Sequence, residues 1–367
     1  MRKLIVGIIL TLISYQAAAY EISREQFVEK LTIESCHGSP ESIFIDTSHT
    51  NFDLAHAYSF SWIALQTLDT DSQTFDDDAD ADLVKAEQQW GIKNVRMIEN
   101  KRWNVKVMIS TYGDDVFLTF RHTDSNLNWL LNADYGLWDF SHSFTLGAPV
   151  HHGFGTMLGS VWNDILQQLN RTPYQNKRIH IFGHSLGGAL ALLAAPGLQV
   201  EGFDLAQVYA TGAPKVAGRN WQELAKQQLV NVPVYRITNT HDLFAKIPVS
   251  NLALDEFREL FSFIPDFLAN AIGGLRSQME YGVIGDEALM TPNLSLNYET
   301  SLTSELSEQN YWLDIADQFR TIDESSNNIV DNLKKKADVI SSNLSVHLMR
   351  KPTDGYTCSM IKLLKMN

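Results

Sequence analysis

Five residues constrain this chain more than any others: Gly183-His184-Ser185-Leu186-Gly187. Before them lies a short run, Arg178-Ile179-His180-Ile181-Phe182, which reads as a strand. After them lies an apolar, Ala-rich stretch, residues 186–195, which reads as a helix ending near Pro196 and Gly197. A chain that passes from strand to helix across a serine flanked by glycines must turn sharply. The serine backbone is strained, and the glycines let neighbouring backbone come close. The turn lifts the hydroxyl out of the sheet beside the positive end of the helix dipole. A bare GxSxG pentapeptide occurs often by chance, and a Gly-rich turn with an incidental serine is the competing reading. The strand before it and the helix after it give it weight.

The surrounding pattern agrees with such a turn. Residues 103–120 read as two strands joined at Gly113-Asp114-Asp115, with Val105, Val107 and Ile109 alternating with polar residues and Val116–Phe120 continuously apolar. Met157, Val161, Ile165 and Leu169 mark a helix within 151–170, and residues 54–68 are apolar at helical spacing. Two more short strands are expected at 206–210 and 233–238. Strands alternating with helices predict the α/β class: a mostly parallel central sheet with helices on both faces. No internal repeat or long flexible linker is evident.

A serine hydroxyl is a weak nucleophile at neutral pH. It needs a histidine base, and the base needs a carboxylate that fixes its tautomer. When the nucleophile sits on a strand-to-helix elbow, the partners follow it in the order carboxylate, then histidine. Asp242 stands just past the strand Val234-Tyr235-Arg236-Ile237, where α/β sheets present active-site groups. On its own it reads equally as a loop aspartate or helix cap. After it only one histidine remains, His347; His151, His152, His180, His184 and His241 all precede the carboxylate. An oxyanion needs donors as well. Leu186 N–H is one, and the stretch Phe120-Arg121-His122-Thr123 after a central strand offers the second. This chemistry requires no metal and no cofactor.

Composition bounds the setting. The chain has 367 residues, 44% of them hydrophobic, enough for one large domain or one domain with an insertion. Its net charge of -14 argues against nucleic-acid binding, which needs cations to displace counterions from phosphate. It also argues against electrostatic attraction to anionic membranes, so contact with lipid must be largely apolar. Arg2 and Lys3, the apolar run from Leu4 to Ile13, and Ala17-Ala18-Ala19 form a secretory signal over 1–19, leaving 20–367 as the mature chain. The apolar run is short for a bilayer span, no cysteine stands at the cleavage site, and no later segment reads as transmembrane. Export to a periplasm or out of the cell is the expectation. In an exported protein the two cysteines, Cys36 and Cys358, permit one disulfide; two free buried thiols are the alternative. The aspartate-rich stretch 69–82 suits calcium, but EF-hand spacing is absent and a solvated loop is the simpler reading.

These residues resemble the class 3 lipases, best known from the fungal triacylglycerol lipases. FRHT at 120–123 is similar to the family's FRGS or FRGT strand, and Asn128-Trp129 to the NW that follows it. HHGF at 151–154, GHSLGGALA at 183–191, TGAPKVAG at 211–218, YRITNTHDLFAKIP at 235–248 and His347-Leu348 complete the ordered set. The resemblance implies an α/β-hydrolase fold with Ser185, Asp242 and His347 as triad and Thr123 and Leu186 as oxyanion hole. It also implies a lid at about 124–140 carrying Leu127, Trp129, Leu130, Leu131 and Trp138, and a Cys36–Cys358 disulfide. Departures are His122 in place of glycine, Lys215 in place of arginine, and 105 residues between Asp242 and His347, more than the family's usual separation.

The excess implies a helical insertion at about 250–335, before the C-terminal histidine. Within it, residues 254–275 are strongly apolar around Pro265, reading either as a second lid or membrane-docking element or as helices packed on the core. Residues 311–343 read as one more polar helix, with Lys334-Lys335-Lys336 on a solvated face. The expected activity is hydrolysis of carboxylic esters of lipids, by a triacylglycerol lipase or by a phospholipase or esterase, with lipid at an interface as partner and peripheral membrane contact. Acyl transfer to an alcohol by the same triad is the alternative, and a non-catalytic lipid-binding protein a further one.

Overall fold

The computed structural model describes residues 22–32, 36, 38, 40–69, 89–121, 137–249, 281–299, 301–325, 328–349 and 354–366. The signal segment 1–19, the acidic stretch beyond Asp69, Thr123, the lid up to residue 136 and the apolar segment 254–275 lie outside the described residues.

The chain opens with α1 (Arg24–Lys30) and α2 (Leu54–Asp69), followed by β1 (Ile92–Asn100), β2 (Val105–Tyr112) and β3 (Asp115–Phe120). Two short strands, β4 (Leu137–Trp138) and β5 (Val150–His151), lead into α3 (His152–Leu169). The central run is β6 (Ile179–His184), α4 (Leu186–Val200), β7 (Leu205–Thr211), β8 (Ala217–Gly218), α5 (Arg219–Gln228) and β9 (Val234–Asn239). Then come β10 (Tyr281–Gly282), β11 (Asp286–Met290), β12 (Leu296–Glu299), α6 (Ser301–Ser325), α7 (Ile329–Val346) and α8 (Tyr356–Met366).

Eight strands form one sheet in the order β1-β2-β3-β6-β7-β9-β11-β12. The five central strands, β3, β6, β7, β9 and β11, are parallel; the outer pairings are antiparallel. Alternation along β3 shows how the layers form. Val116, Leu118 and Phe120 point to one face and pack with Leu158, Val161 and Ile165 of α3 and Leu190 and Leu193 of α4. Phe117 points to the other and packs with Phe182, Tyr209, Phe60 of α2 and Met360 of α8. Helices therefore cover both faces, as a buried parallel sheet requires. The Cys36–Cys358 disulfide lies in the second layer and ties the N-terminal region to α8. A smaller sheet, β10-β8-β5-β4, sits apart. Among the described residues no helix is long and apolar enough to cross a membrane.

Four expectations change. First, α4 does not stop at Pro196 but runs on to Val200. Proline removes one backbone donor, yet every residue from Leu186 to Leu198 is buried, and this packing holds the last turn. Second, the inserted region is not purely helical: β11 extends the main sheet in parallel with β9, and β12 closes its edge. Third, the polar helix at 311–343 is two helices, because Asn328 caps the second by accepting from the amides of Val330 and Asp331. Fourth, β1 was not expected. It is a largely polar edge strand with a register shift between Lys93 and Arg96, so its alternation is broken. Lys334 and Lys335 are exposed as expected, whereas Lys336 is half-buried, pairs with Asp323 at 2.7 Å and lies over the Phe319 ring.

Candidate active site

The elbow between β6 and α4 places Ser185 at φ 54°, ψ -121°, on the left-handed side that non-glycine residues rarely adopt. Two glycines make this turn sterically feasible. A Cβ on Gly187 would stand 2.1 Å from the carbonyl oxygen of Phe120 at the end of β3. A Cβ on Gly183 would stand 2.3 Å from the backbone carbon of Gly187. Helix α4 is thus pressed against the C-terminal ends of β3 and β6. The carbonyl of Thr211 on β7 accepts the Ser185 N–H at 2.8 Å and the His184 Nδ1–H at 3.0 Å, anchoring the elbow to the neighbouring strand.

Three parts of the chain far apart in sequence converge here. Ser185 Oγ lies 2.7 Å from His347 Nε2. His347 Nδ1 lies 2.8 Å from Asp242 Oδ2 and 3.0 Å from Oδ1. The carboxylate only accepts, so Nδ1 carries the proton and Nε2 presents its lone pair to the serine hydroxyl. All three side chains are buried, Asp242 completely. His347 is the C-cap of α7, so the end of that helix carries the imidazole to the elbow.

A buried carboxylate must have its lone pairs satisfied. Asp242 Oδ1 also accepts the Phe244 N–H at 2.9 Å, and Oδ2 accepts the Tyr356 hydroxyl at 2.6 Å. That hydroxyl accepts in turn from the Asn239 N–H at 3.1 Å. Burial, reinforced by the adjacent Asp242 charge, pushes the Tyr356 hydroxyl well above its usual range, so it remains a donor. The imidazole is held between rings: His184 stacks on it at 4.9 Å and Phe244 tilts against it at 4.4 Å.

The other histidines have different settings. His180 sits beside Asp115 and Gln207, and His151 caps α3 and stacks on Phe154. Leu186 begins α4, whose hydrogen-bond ladder opens with Ala189 N–H to Ser185 O, so the Leu186 N–H is one of the amides a helix start leaves over. Sequence reasoning missed Tyr356 and the ring contact of His184. Neither has a spacing that marks it; both follow from how α8 and β6 pack.

A family model described as lipase (class 3) matches residues 117–252. This segment is similar to the class 3 lipases. The matched segment holds Ser185 and Asp242, whereas His347 lies beyond it, after the inserted strands and helices. A secreted mono- and diacylglycerol lipase A of Penicillium cyclopium is 32% identical over 144 residues, 37% of this chain and 44% of that protein. A chloroplastic phospholipase A(1) of Arabidopsis thaliana is 25% identical over 226 residues, 56% of this chain and 50% of that protein. The solved Rhizomucor miehei triacylglyceride lipase is similar at 18% identity, covering 70% of this chain and 91% of its own, with a TM-score of 0.47. The chain spans about half or less of the length of these curated relatives.

Proposed function

We propose that this protein is an exported hydrolase of carboxylic esters of lipids that works through an acyl-enzyme on Ser185. The observation that carries this reading is the continuous chain from Ser185 Oγ through His347 to the fully buried Asp242. Ser185 Oγ attacks the ester carbonyl while His347 Nε2 takes its proton. Asp242 orients the ring and stabilises the imidazolium. The oxyanion is held by the Leu186 N–H, at the positive end of α4, with Thr123 as the second donor that the resemblance implies. The imidazolium then gives its proton to the leaving alcohol. Water, deprotonated by the same ring, releases the fatty acid and restores the serine. No metal or cofactor enters these steps.

A lipid substrate is supported by the class 3 segment and by Trp138, which is 54% exposed and stacked on His152 at the end of the expected lid. In this reading, apolar contact outweighs charge where so acidic a chain meets a lipid surface. Export fits the N-terminal pattern and the disulfide, which persists in oxidising compartments.

The test is fatty-acid release from triacylglycerol, diacylglycerol, phosphatidylcholine and short p-nitrophenyl esters. Acid release is expected from acylglycerols or phospholipid above that from the short ester, and whichever predominates names the head group. Acyl transfer to an added alcohol without acid release points to the transferase alternative. No reaction with any ester contradicts the reading.

A further inference from the structure

The buried charges beneath the Asp242 loop remain unused by the mechanism above. Lys215, which follows β7, is buried, and its ammonium has three N–H donors. One meets the Lys246 carbonyl at 2.9 Å, one the Pro248 carbonyl at 2.7 Å, and one Glu308 Oε2 of α6 at 2.8 Å. The Lys215 N–H adds a bond to the Ile247 carbonyl at 3.0 Å. One residue therefore grips the three positions that complete the loop begun by Asp242. Close by, the buried Lys246 stands 3.9 Å from Glu287 of β11, and Glu287 also pairs with Arg236 at 3.4 Å. Thr238 and Ser304 hydroxyls complete the Glu287 shell. The nearby cations hold its carboxyl down, to about 2, despite burial. The two buried glutamates both come from the region after residue 250, whereas Lys215, Arg236 and Lys246 come from the class 3 segment.

We infer that Glu308 and Lys215 form a positioning clamp through which the inserted region holds the Asp242 loop in register with His347. The inference rests on the triad reading above. It accounts for the departure at position 215. A lysine places three divergent donors on two carbonyls and one carboxylate, whereas the planar guanidinium of the family's arginine presents a fork. Neither residue touches substrate; they act through Asp242. Removing Glu308 alone leaves a buried ammonium without its counter-charge, so lost stability would obscure lost positioning. Replacing both partners by apolar residues of similar size separates the two effects, because apolar pairs often preserve the fold.

The experiment compares wild type, Lys215→Met/Glu308→Leu and Lys215→Arg as full chains. A cooperative melt of the double variant with KM near wild type and kcat lowered about 10- to 100-fold is expected, since small misplacements of catalytic groups have effects of that size. The acid limb of kcat/KM should move to lower pH, because a loosened carboxylate stabilises the imidazolium less. The low-field proton resonance of the His347–Asp242 hydrogen bond should shift or vanish, a readout independent of turnover. Lys215→Arg, which keeps the charge but not the three-way geometry, should fall between. Should the double variant not fold, Glu308→Gln is read by the same resonance and pH limb. A folded double variant with wild-type kcat, pH limb and proton resonance overturns the clamp. If wild type cleaves no ester, the function proposed above fails instead, and the resonance alone decides the clamp.

Discussion

Asp242→Asn is expected to lower kcat for ester hydrolysis by about 10⁴-fold while leaving the protein folded. The carboxylate meets three donors at once: His347 Nδ1–H, the Phe244 N–H and the Tyr356 hydroxyl. An asparagine has one acceptor oxygen and one donor nitrogen for the same three. Whichever way the amide turns, a donor faces a donor. The simplest relief is for His347 to shift its proton to Nε2, which leaves no lone pair for Ser185. Side-chain volume scarcely changes, so the loss should fall on kcat. Steady-state kinetics with a melting curve checks this; a variant within tenfold of wild type would mean that the His347 tautomer does not depend on Asp242.

Gly187→Ala has the next largest effect, on structure as well as activity. The added Cβ meets the Phe120 carbonyl oxygen at 2.1 Å, the Phe120 carbonyl carbon at 2.8 Å and the Arg121 carbonyl carbon at 2.9 Å. All are backbone atoms of a central strand end and cannot rotate aside. Helix α4 must move away from β3, and Ser185 moves with it. A loss of about 3 kcal/mol is expected at the upper end of overpacking effects, lowering Tm by roughly 5–10 °C. Hydrolysis should fall below detection even where the variant remains folded. Differential scanning calorimetry and an ester assay measure the two parts. Unchanged stability would show that the strand end yields more easily than its sheet pairing implies.

These two variants probe features of unequal visibility in the sequence. The elbow was legible because steric demand writes itself into residue type. Only glycine tolerates the approach at 183 and 187, and a strand and an apolar helix flank it at once. Asp242 and His347 were legible through chain order and the scarcity of later histidines, and the structure brings both within hydrogen-bonding distance of their partners. The strands β2, β3, β6, β7 and β9 were readable from continuous or alternating apolar runs, because buried parallel strands have little choice of residue.

What could not be read depends on partners distant in sequence. β11 (DEALM) is too short and mixed to announce a strand; it is one because β9 offers it a parallel edge. Glu287 and Glu308 look like surface carboxylates until the sheet brings Arg236, Lys246 and Lys215 against them. Pro196 predicts a helix end locally, but buried packing along α4 outweighs one lost hydrogen bond. Tyr356 gains its role only because α8 returns beneath the carboxylate.

Every catalytic step described above requires Ser185 to be an activated nucleophile. The decisive measurement is the intact mass of the full chain after brief treatment with a fluorophosphonate, for wild type and Ser185→Ala. One phosphonyl group per wild-type chain, mapped to Ser185 and absent from Ser185→Ala, is the predicted result. An unlabelled wild type, or equal labelling of the alanine variant, would contradict it.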